Sequence, residues 1–396
     1  MRHTRSTLGL AAAAIVVAGL AGCAPSDSAA SDEGSDSIEI GIITSKSGPL
    51  AAYGEAYLAG LHAGIDYATD GSGEVDGTAI ELREGDDGAD VDKAVQLAKE
   101  YIGDGVDILA GTVSSGVALA LAEQAEQNEV LYISGPAAAD AVTGINDYTF
   151  RSGRQSYQDV ATAATFLDDV AGKQITVLAQ DNAFGQGNVA AVQAVLGADG
   201  MGGNVTPVLV AEDVTEFTSF ARQVLNTEPD LVFVAWAGET SGSMWQALTQ
   251  QGVFDAAPVV TGLGDISTYG AYGAASDKIG FLSHYFGTAP DNDVNAAMVE
   301  ALEADGHEPD LFSPDGFVAG QMLVHAISEG DDVDSMIDAL EGWTFDGPKG
   351  STTVRASDHA LIQDMYQAKL AADGSSFAPE LIEVVPADEV APPEAG

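Results

Sequence analysis

The sequence predicts an α/β protein of two lobes, each built on a doubly wound parallel sheet. Short runs of aliphatic and β-branched residues alternate with longer amphipathic runs, which is the pattern of strands connected by helices. The alternation forms two successive series, and 396 residues are too many for one ordinary domain. Each series therefore indicates one lobe, and the carboxyl ends of its strands indicate where a site would lie.

The amino terminus predicts an export signal over residues 1–22. Two arginines precede an apolar stretch at 8–20, which is followed by Leu-Ala-Gly and then Cys23. This run resembles the bacterial lipoprotein signal, in which such a cysteine becomes the lipidated first residue of the mature chain. Because Cys23 is the only cysteine, neither an intramolecular disulfide nor a cysteine metal site is expected. Residues 23–37 are rich in Ser and Asp and predict a solvated tether.

The chain is strongly acidic, with a formal net charge of −47. Such a surface repels phosphate backbones and anionic lipid headgroups, so we expect no nucleic-acid partner and no membrane contact other than the lipid anchor. We attribute the acidity to overall composition. The local geometry of a cleft, rather than net charge, decides which small molecule binds in it.

The first series predicts four strands alternating with helices, and the second series repeats the pattern. The first-series strands are at 38–43, 79–84, 106–111 and 130–134, with helices at 50–67, 91–102 and 116–127. The second-series strands are at 174–181, 205–212, 231–237 and 258–263. A strand at 278–287 follows, then helical patterns at 293–304, 313–329 and 333–341, then two closing strands within 347–370.

This order predicts three crossings of the chain between the lobes. The amino-terminal lobe comprises residues 38–154 and 283–345, and the carboxy-terminal lobe comprises residues 155–282 and 346–386. Residues 387–396 are left as a tail. A cleft between the lobes follows, and the turns after the strands would line it.

The turn at 112–116 joins the third strand to its helix and carries Ser114 and Ser115. Two hydroxyls beside the N–H groups of a helix start indicate an anion site that the helix dipole assists. Two alternatives stay open: Ser115 is only a helix cap, or Ser114 is the nucleophile of an exported serine hydrolase. The hydrolase is disfavoured because the first glycine of the G-x-S-x-G elbow is missing.

Other patterns indicate neither a cofactor nor a metal. Gly185 and Gly187 form part of a dinucleotide fingerprint, but they do not directly follow their strand. The aspartate-rich runs at 70–77 and 86–92 lack EF-hand spacing, and the histidines show no paired spacing for a metal. We therefore expect no cofactor and no metal ion.

Tyr53 follows the first strand and a Ser-Gly-Pro turn at 47–49. It falls in the first turn of the predicted helix, at the carboxyl edge of the sheet. We therefore expect its ring to point into the cleft, with ordinary packing in the core as the alternative.

In their order and spacing, these residues resemble the bacterial periplasmic Leu/Ile/Val-type binding proteins. The matching positions are 47–49, Tyr53-Gly54, Ala59-Gly60, Gly111 with Ser114-Ser115, 134–139, Asp181 with Phe184-Gly185, and 230–233. Such proteins are extracellular receptors of ABC importers and have the type I periplasmic-binding fold. The resemblance implies a lipid-anchored clamp on the outer face of the cytoplasmic membrane, which closes on a small solute and passes it to a permease without catalysis. A sensor that presents its closed form to a membrane receptor fits the same residues.

The resemblance also implies roles for the site residues. In relatives that bind amino acids, hydroxyl residues after the third and fourth strands hold the carboxylate of the ligand. That role falls here to Ser114, Ser115 and the backbone near Ala137 and Ala138. The tyrosines and the glutamate that hold the ammonium in those relatives are altered here, and Asp265 lies near the position of the glutamate.

An ammonium without a partner in a closed cleft would be costly, so we expect a small carboxylate with an apolar or aromatic body. A branched-chain or other hydrophobic amino acid, with Asp265 as the ammonium partner, is the alternative. Arg154 would face an anionic group or form a hinge ion pair. The expected walls of the site are Tyr53, Phe184 and Trp236, with Tyr157 and Tyr285.

Overall fold

A computed structural model describes residues 37–374 and 376–395 and shows two α/β lobes. The predicted export signal, Cys23 and the tether through residue 36 lie outside the described residues. Among the helices that are described, none has both the length and the apolar character needed to span a bilayer. The predicted fold class, two lobes of parallel sheets with flanking helices, is confirmed.

The sheet of the first lobe has six strands in the order β2-β3-β1-β4-β5-β6. It is parallel except for the short β2–β3 hairpin. All four strands predicted for the first series are present. The sequence pattern missed β6, which has only three residues. The strands are β1 (Ile38–Thr44), β2 (Glu74–Val75), β3 (Thr78–Asp86), β4 (Ile108–Ala110), β5 (Leu131–Ser134) and β6 (Thr149–Arg151).

The sheet of the second lobe contains five parallel strands and ends in an antiparallel hairpin. The parallel strands are β7 (Gln174–Gln180), β8 (Asn204–Val210), β9 (Leu231–Ala235), β10 (Val259–Gly262) and β11 (Ile279–Ser283). A small separate sheet follows, formed by β12 (Thr344–Gly347), β13 (Gly350–Val354) and β14 (Leu361–Ile362). The hairpin of β15 (Met365–Asp373) and β16 (Ser376–Val385) then joins the second sheet beside β11.

Helices cover both faces of the two sheets. Those that precede or flank the first crossing are α1 (Ala51–Ala68), α2 (Val91–Gly103), α3 (Ser115–Asn128) and α4 (Ser156–Phe166). The second lobe adds α5 (Ala183–Val195), α6 (Thr218–Asn226), α7 (Ser241–Gln251), α8 (Val253–Ala256) and α9 (Tyr269–Tyr272). The rest of the chain forms α10 (Asp293–Ala304), α11 (Ser313–Glu329), α12 (Val333–Leu340) and α13 (Ala387–Val390).

Helices α1 and α11 pack at backbone contact and close the core of the first lobe. A Cβ at Gly60 would lie 2.0 Å from the carbonyl oxygen of Ser313, and one at Gly64 would lie 2.2 Å from that of Phe317. Only glycine permits this approach, since any side chain would collide with the neighbouring backbone. The contact brings the buried stripe of α1 against a helix that is almost wholly buried, and it fixes the orientation of the first turn of α1 at the cleft.

The boundary predicted near residue 345 needs correction. Val354 and Leu361, in the small third sheet, are buried in the core of the first lobe. The ring of His359 stacks on Phe150 with centroids 3.8 Å apart. Residues 346–362 therefore belong with the first lobe, and the third crossing lies between β14 and β15. The predicted tail is also structured, because α13 packs on α4 and buries Val390.

Candidate functional site

A cavity of about 360 Å³ lies between the lobes, outside the carboxyl ends of the strands. Its volume is at the lower end of the usual range for small-molecule sites. The first lobe contributes the turns after β1, β4 and β5, the second lobe contributes the turns after β7, β9 and β10, and residues next to the crossings form the floor. Among the lining residues are Tyr53, Ser114, Ser115, Pro136, Ala138, Arg154, Asp159, Phe184, Glu212, Trp236, Glu239, His284 and Phe312.

The start of α3 opens onto this cavity. Gly111 directly follows β4 with a φ of +109°, and a Cβ there would lie 2.0 Å from the carbonyl oxygen of Ile43, so the turn requires glycine. Ser114 occupies the N-cap position of α3, and its hydroxyl makes no capping hydrogen bond to the helix. Ser115 is buried, and its Oγ accepts a hydrogen bond from the N–H of Ala139 at 3.2 Å. A helix dipole and a hydroxyl without a capping role thus meet at the wall of the cavity.

The turn after β5 lies beside α3 and is held by buried arginine contacts. Arg151 donates from Nη2 to the carbonyl oxygens of Ala137 at 2.9 Å and Ala139 at 3.1 Å. The N–H of Ala137 donates to the carbonyl oxygen of Thr112, so this amide is already engaged. Ala138 lines the cavity, whereas Ala137 is buried behind it.

Aromatic side chains from both lobes form the apolar walls. Trp236 meets Phe217 edge-on at 5.1 Å, and its Nε1 donates to Thr240 Oγ1 at 3.0 Å. Tyr53 is buried, and its hydroxyl accepts a hydrogen bond from the N–H of Gly238 in the second lobe at 3.3 Å. This contact joins the two lobes across the cleft. Burial raises the pKa of Tyr53, so its hydroxyl stays protonated.

The floor of the cavity contains a buried ion pair. Arg154 Nη2 lies 3.3 Å from Asp159 Oδ2, and its Nη1 donates to the carbonyl oxygen of Pro136 at 2.9 Å. The guanidinium also lies over the ring of Phe312, 5.6 Å from its centroid. Burial raises the pKa of Asp159, and Arg154 opposes that shift. The pair leaves this part of the floor polar but without net charge.

His284 and Phe312 complete the floor, and their rings stack with centroids 5.2 Å apart. Burial lowers the pKa of His284 well below its ordinary value, and the nearby positive charges of Arg154 and Lys349 lower it further. The imidazole is therefore neutral at physiological pH. Phe312 also meets Tyr53 edge-on at 5.0 Å, so one ring supports both the floor and a wall.

Three residues predicted for the site lie elsewhere. Tyr285 is buried in the first lobe, where its hydroxyl donates to Asn295 Oδ1 at 2.9 Å. Tyr157 packs against a small cluster formed by Ala161 of α4 with Met365, Val385 and Val390. Asp265 lines a second cavity of about 270 Å³, and its carboxylate accepts a hydrogen bond from Ser267.

Sequence reasoning missed the floor residues Asp159, His284 and Phe312. His284 directly follows β11, at the predicted second crossing, so its position was a usable signal. Phe312 lies between the helical patterns at 293–304 and 313–329, which the sequence assigned to the amino-terminal lobe without relating them to the cleft. The sequence offered no periodicity to show that its ring reaches the cleft.

The comparison with known proteins agrees with this two-lobed architecture. The pattern that defines the periplasmic binding protein family matches residues 37–375. This chain belongs to the periplasmic binding protein family. The family is one of receptors that bind solutes outside the cytoplasm, which agrees with the cleft between two lobes.

Individual relatives of this periplasmic binding protein support the assignment. A structure described as an ABC-type branched-chain amino acid transporter from Rhodopseudomonas palustris is 32% identical, with a TM-score of 0.73, and the match covers 89% of this chain and 97% of that one. The Leu/Ile/Val-binding protein BraC3 of Rhizobium johnstonii is 27% identical over 198 residues, which is about half of each chain, 50% and 53%. A solute binding protein of R. palustris in complex with p-hydroxybenzoic acid shares the fold, with 22% identity, a TM-score of 0.80 and coverage of 89% and 98%.

Proposed function

We propose that this protein is the solute-binding receptor of an ABC importer and that its ligand is a small carboxylate with an apolar or aromatic body. The observation that carries the proposal is the start of α3, where the Ser114 hydroxyl and helix N–H groups face a cavity with aromatic walls. Such a start favours an anion, and the aromatic walls favour a flat apolar body.

The carboxylate would lie between Ser114 and the backbone near Ala138, within reach of the Arg154 guanidinium. Arg154 lines the cavity, and its contacts with Asp159, at 3.3 and 3.4 Å, are longer than a close charge-assisted hydrogen bond. A ligand oxygen could therefore approach this guanidinium without displacing a close hydrogen bond to Asp159. Phe184 and Trp236 in the second lobe would cover the ligand body.

The two lobes are in contact at the mouth of the cleft, as expected for the closed form of such a receptor. Gly238 donates to the Tyr53 hydroxyl, and the N–H of Ile266 lies 3.3 Å from both carboxylate oxygens of Asp310. Each contact joins a residue of one lobe to a residue of the other. A ligand that bound both walls would favour this arrangement, and a permease that recognised it would respond to the loaded receptor.

The second candidate ligand is a branched-chain or other hydrophobic amino acid. The relative that shares 32% identity is described as a branched-chain amino acid transporter, which supports this alternative. Asp265 lines the second cavity rather than the main one. An ammonium in the main cavity would therefore need Asp159 or Glu239 as its partner.

Thermal unfolding of the chain without its export signal, against a panel of solutes, tests the ligand class. The panel contains benzoate, 4-hydroxybenzoate, leucine, valine and glucose. A ligand at about a hundred times its Kd adds about 2.7 kcal/mol to the free energy of unfolding and raises the Tm visibly. Stabilisation by the benzoates that is lost in Ser114→Ala and kept in Asp265→Asn supports the proposal. Stabilisation by leucine alone, lost in Glu239→Gln, would replace it with the amino-acid alternative.

The proposed receptor has no catalytic role and is held at the outer face of the cytoplasmic membrane through Cys23. Hydrolysis of a chromogenic ester, abolished by Ser114→Ala, would contradict the non-catalytic role. Metabolic labelling with a radioactive fatty acid tests the anchor, since the label should be lost in Cys23→Ser. The permease partner is tested by solute-stimulated ATPase activity of the importer in the presence of the receptor.

A further inference from the structure

The last ten described residues, 386–395, form a segment that we name the C-terminal strap. It leaves the second lobe at the end of β16, forms α13, and then runs to the small third sheet of the first lobe. The strap therefore contacts both lobes, in addition to the three chain crossings.

The first anchor of the strap is on the second lobe. Val390 is fully buried and packs with Ala161 of α4 and Met365 of β15. The N–H of Ala387 donates to Asp364 Oδ1 at 2.9 Å. Because this apolar side chain is fully removed from water, α13 is held in place on the second lobe.

The second anchor is on the turn between β13 and β14. Arg355 donates from Nη1 to the carbonyl oxygen of Pro392 at 2.7 Å and from Nη2 to that of Pro393 at 3.3 Å. The N–H of Ala395 donates to Asp358 Oδ2 at 2.9 Å. Arg355 and Asp358 are themselves joined by two hydrogen bonds, at 2.7 and 2.6 Å, so the anchor is a rigid charged pair.

The turn that carries this pair is attached to the first lobe. The N–H of Gly144 donates to the carbonyl oxygen of Asp358 at 2.9 Å. The Nδ1 atom of His359 lies 2.9 Å from the carbonyl oxygen of Thr149 in β6, and its ring stacks on Phe150. When the lobes rotate against each other, this turn must move with the first lobe.

The strap has almost no slack between its two anchors. Only Ala391 separates the buried Val390 from Pro392, and two successive prolines hold the backbone extended. A rotation that increases the distance between the anchors must therefore break one of them. We propose that the C-terminal strap restrains opening of the cleft and favours the arrangement in which the lobes are in contact. The inference rests on the proposed function only in requiring that the lobes rotate, and it needs no particular ligand.

Distances between spin labels measure the restraint in ligand-free protein. Cysteines replace the exposed Glu55 in α1 and Glu216 beside the second-lobe wall, in a chain carrying Cys23→Ser so that no other thiol is present. We expect a stop after Pro386 to shift the distribution to longer distances and to raise the ratio of open to closed molecules by about fivefold, the lower end of usual couplings between sites.

Two further variants guard against a general loss of structure. Val390→Ser releases only the second-lobe anchor and should shift the distances in the same direction as the truncation. Glu394→Gln is the matched control, because Glu394 is exposed on the strap and the substitution leaves both anchors intact, so its distances should equal those of the parent. Identical distributions for the parent, the truncated chain and Val390→Ser would overturn the proposal. Failure of every solute to bind would contradict the proposed function but would leave this measurement unaffected.

Discussion

Asp310 provides a pH-dependent test of how the lobes meet. It lies at the cleft mouth in the first lobe, and its carboxylate accepts from the N–H of Leu311 at 2.7 Å and from that of Ile266 in the second lobe at 3.3 Å. Burial, assisted by the negative charge of Asp265 and opposed by the two hydrogen bonds, raises the pKa of Asp310 from an ordinary 3.8 to about 7. The structure therefore favours a protonated carboxyl at this position.

The sign of the effect follows from this raised pKa. Stability from the protonated carboxyl is fully present below the unfolded pKa, near 4, and is lost as the pH rises through the native pKa, about 7. A shift of this size corresponds to roughly 4 kcal/mol between the two protonation states, and partial exposure of the side chain reduces it to about 2–4 kcal/mol. Asp310→Asn keeps an acceptor oxygen but carries no charge. It should therefore be more stable than the parent by about 2–4 kcal/mol at pH values above about 7, and equally stable near pH 4.

Urea unfolding of both proteins between about pH 4 and about pH 8 measures this difference directly. Glu308→Gln is the control, because Glu308 is a neighbouring exposed acid whose charge is a smaller influence on Asp310. Its difference from the parent should change little with pH. Parallel stability curves for Asp310→Asn and the parent would refute the reasoning, since the buried carboxyl would then have no raised pKa.

Three further substitutions test the site and the core. Tyr53→Phe removes the acceptor for the Gly238 N–H, so ligand binding should weaken by about 1 kcal/mol, mainly through faster dissociation in stopped-flow measurements. Ser115→Ala leaves the buried N–H of Ala139 without its acceptor and should lower the free energy of unfolding by about 1–3 kcal/mol in urea titrations, whether or not ligand is present. Gly60→Ala puts a Cβ 2.0 Å from the backbone of α11 and should lower the Tm by several degrees, roughly 3 kcal/mol or more, in calorimetry.

The sequence predicted the parts of this protein that depend on periodicity. Alternating strands and helices gave the two lobes, and the strand ends identified Tyr53, Phe184 and Trp236, whose rings do line the cavity. Periodicity could not decide which side of a helix faces the cleft. Tyr157, in α4, was therefore placed in the site, and Tyr285 was placed there because it follows the end of β11, although both pack elsewhere.

The sequence also could not predict contacts that depend on how the crossings fold. Asp265 was expected beside the ligand, but the turn after β10 directs it into the second cavity. The third sheet was assigned to the wrong lobe, because a β-strand pattern does not reveal which core its apolar face will join. The burial of Val354 decides that question, and burial is a property of the tertiary structure.

The contact between α1 and α11 also governs when the chain can complete its fold. The two helices are about 260 residues apart in sequence, yet they pack against each other in one core. During synthesis, the first lobe therefore stays incomplete until most of the chain has emerged, and the second sheet must wait still longer for β15 and β16. A nascent chain whose lobes are both incomplete stays unfolded, and can therefore pass through a translocation pore, for nearly its whole synthesis. The discontinuous order of its lobes thus suits a protein that must leave the cytoplasm before it folds.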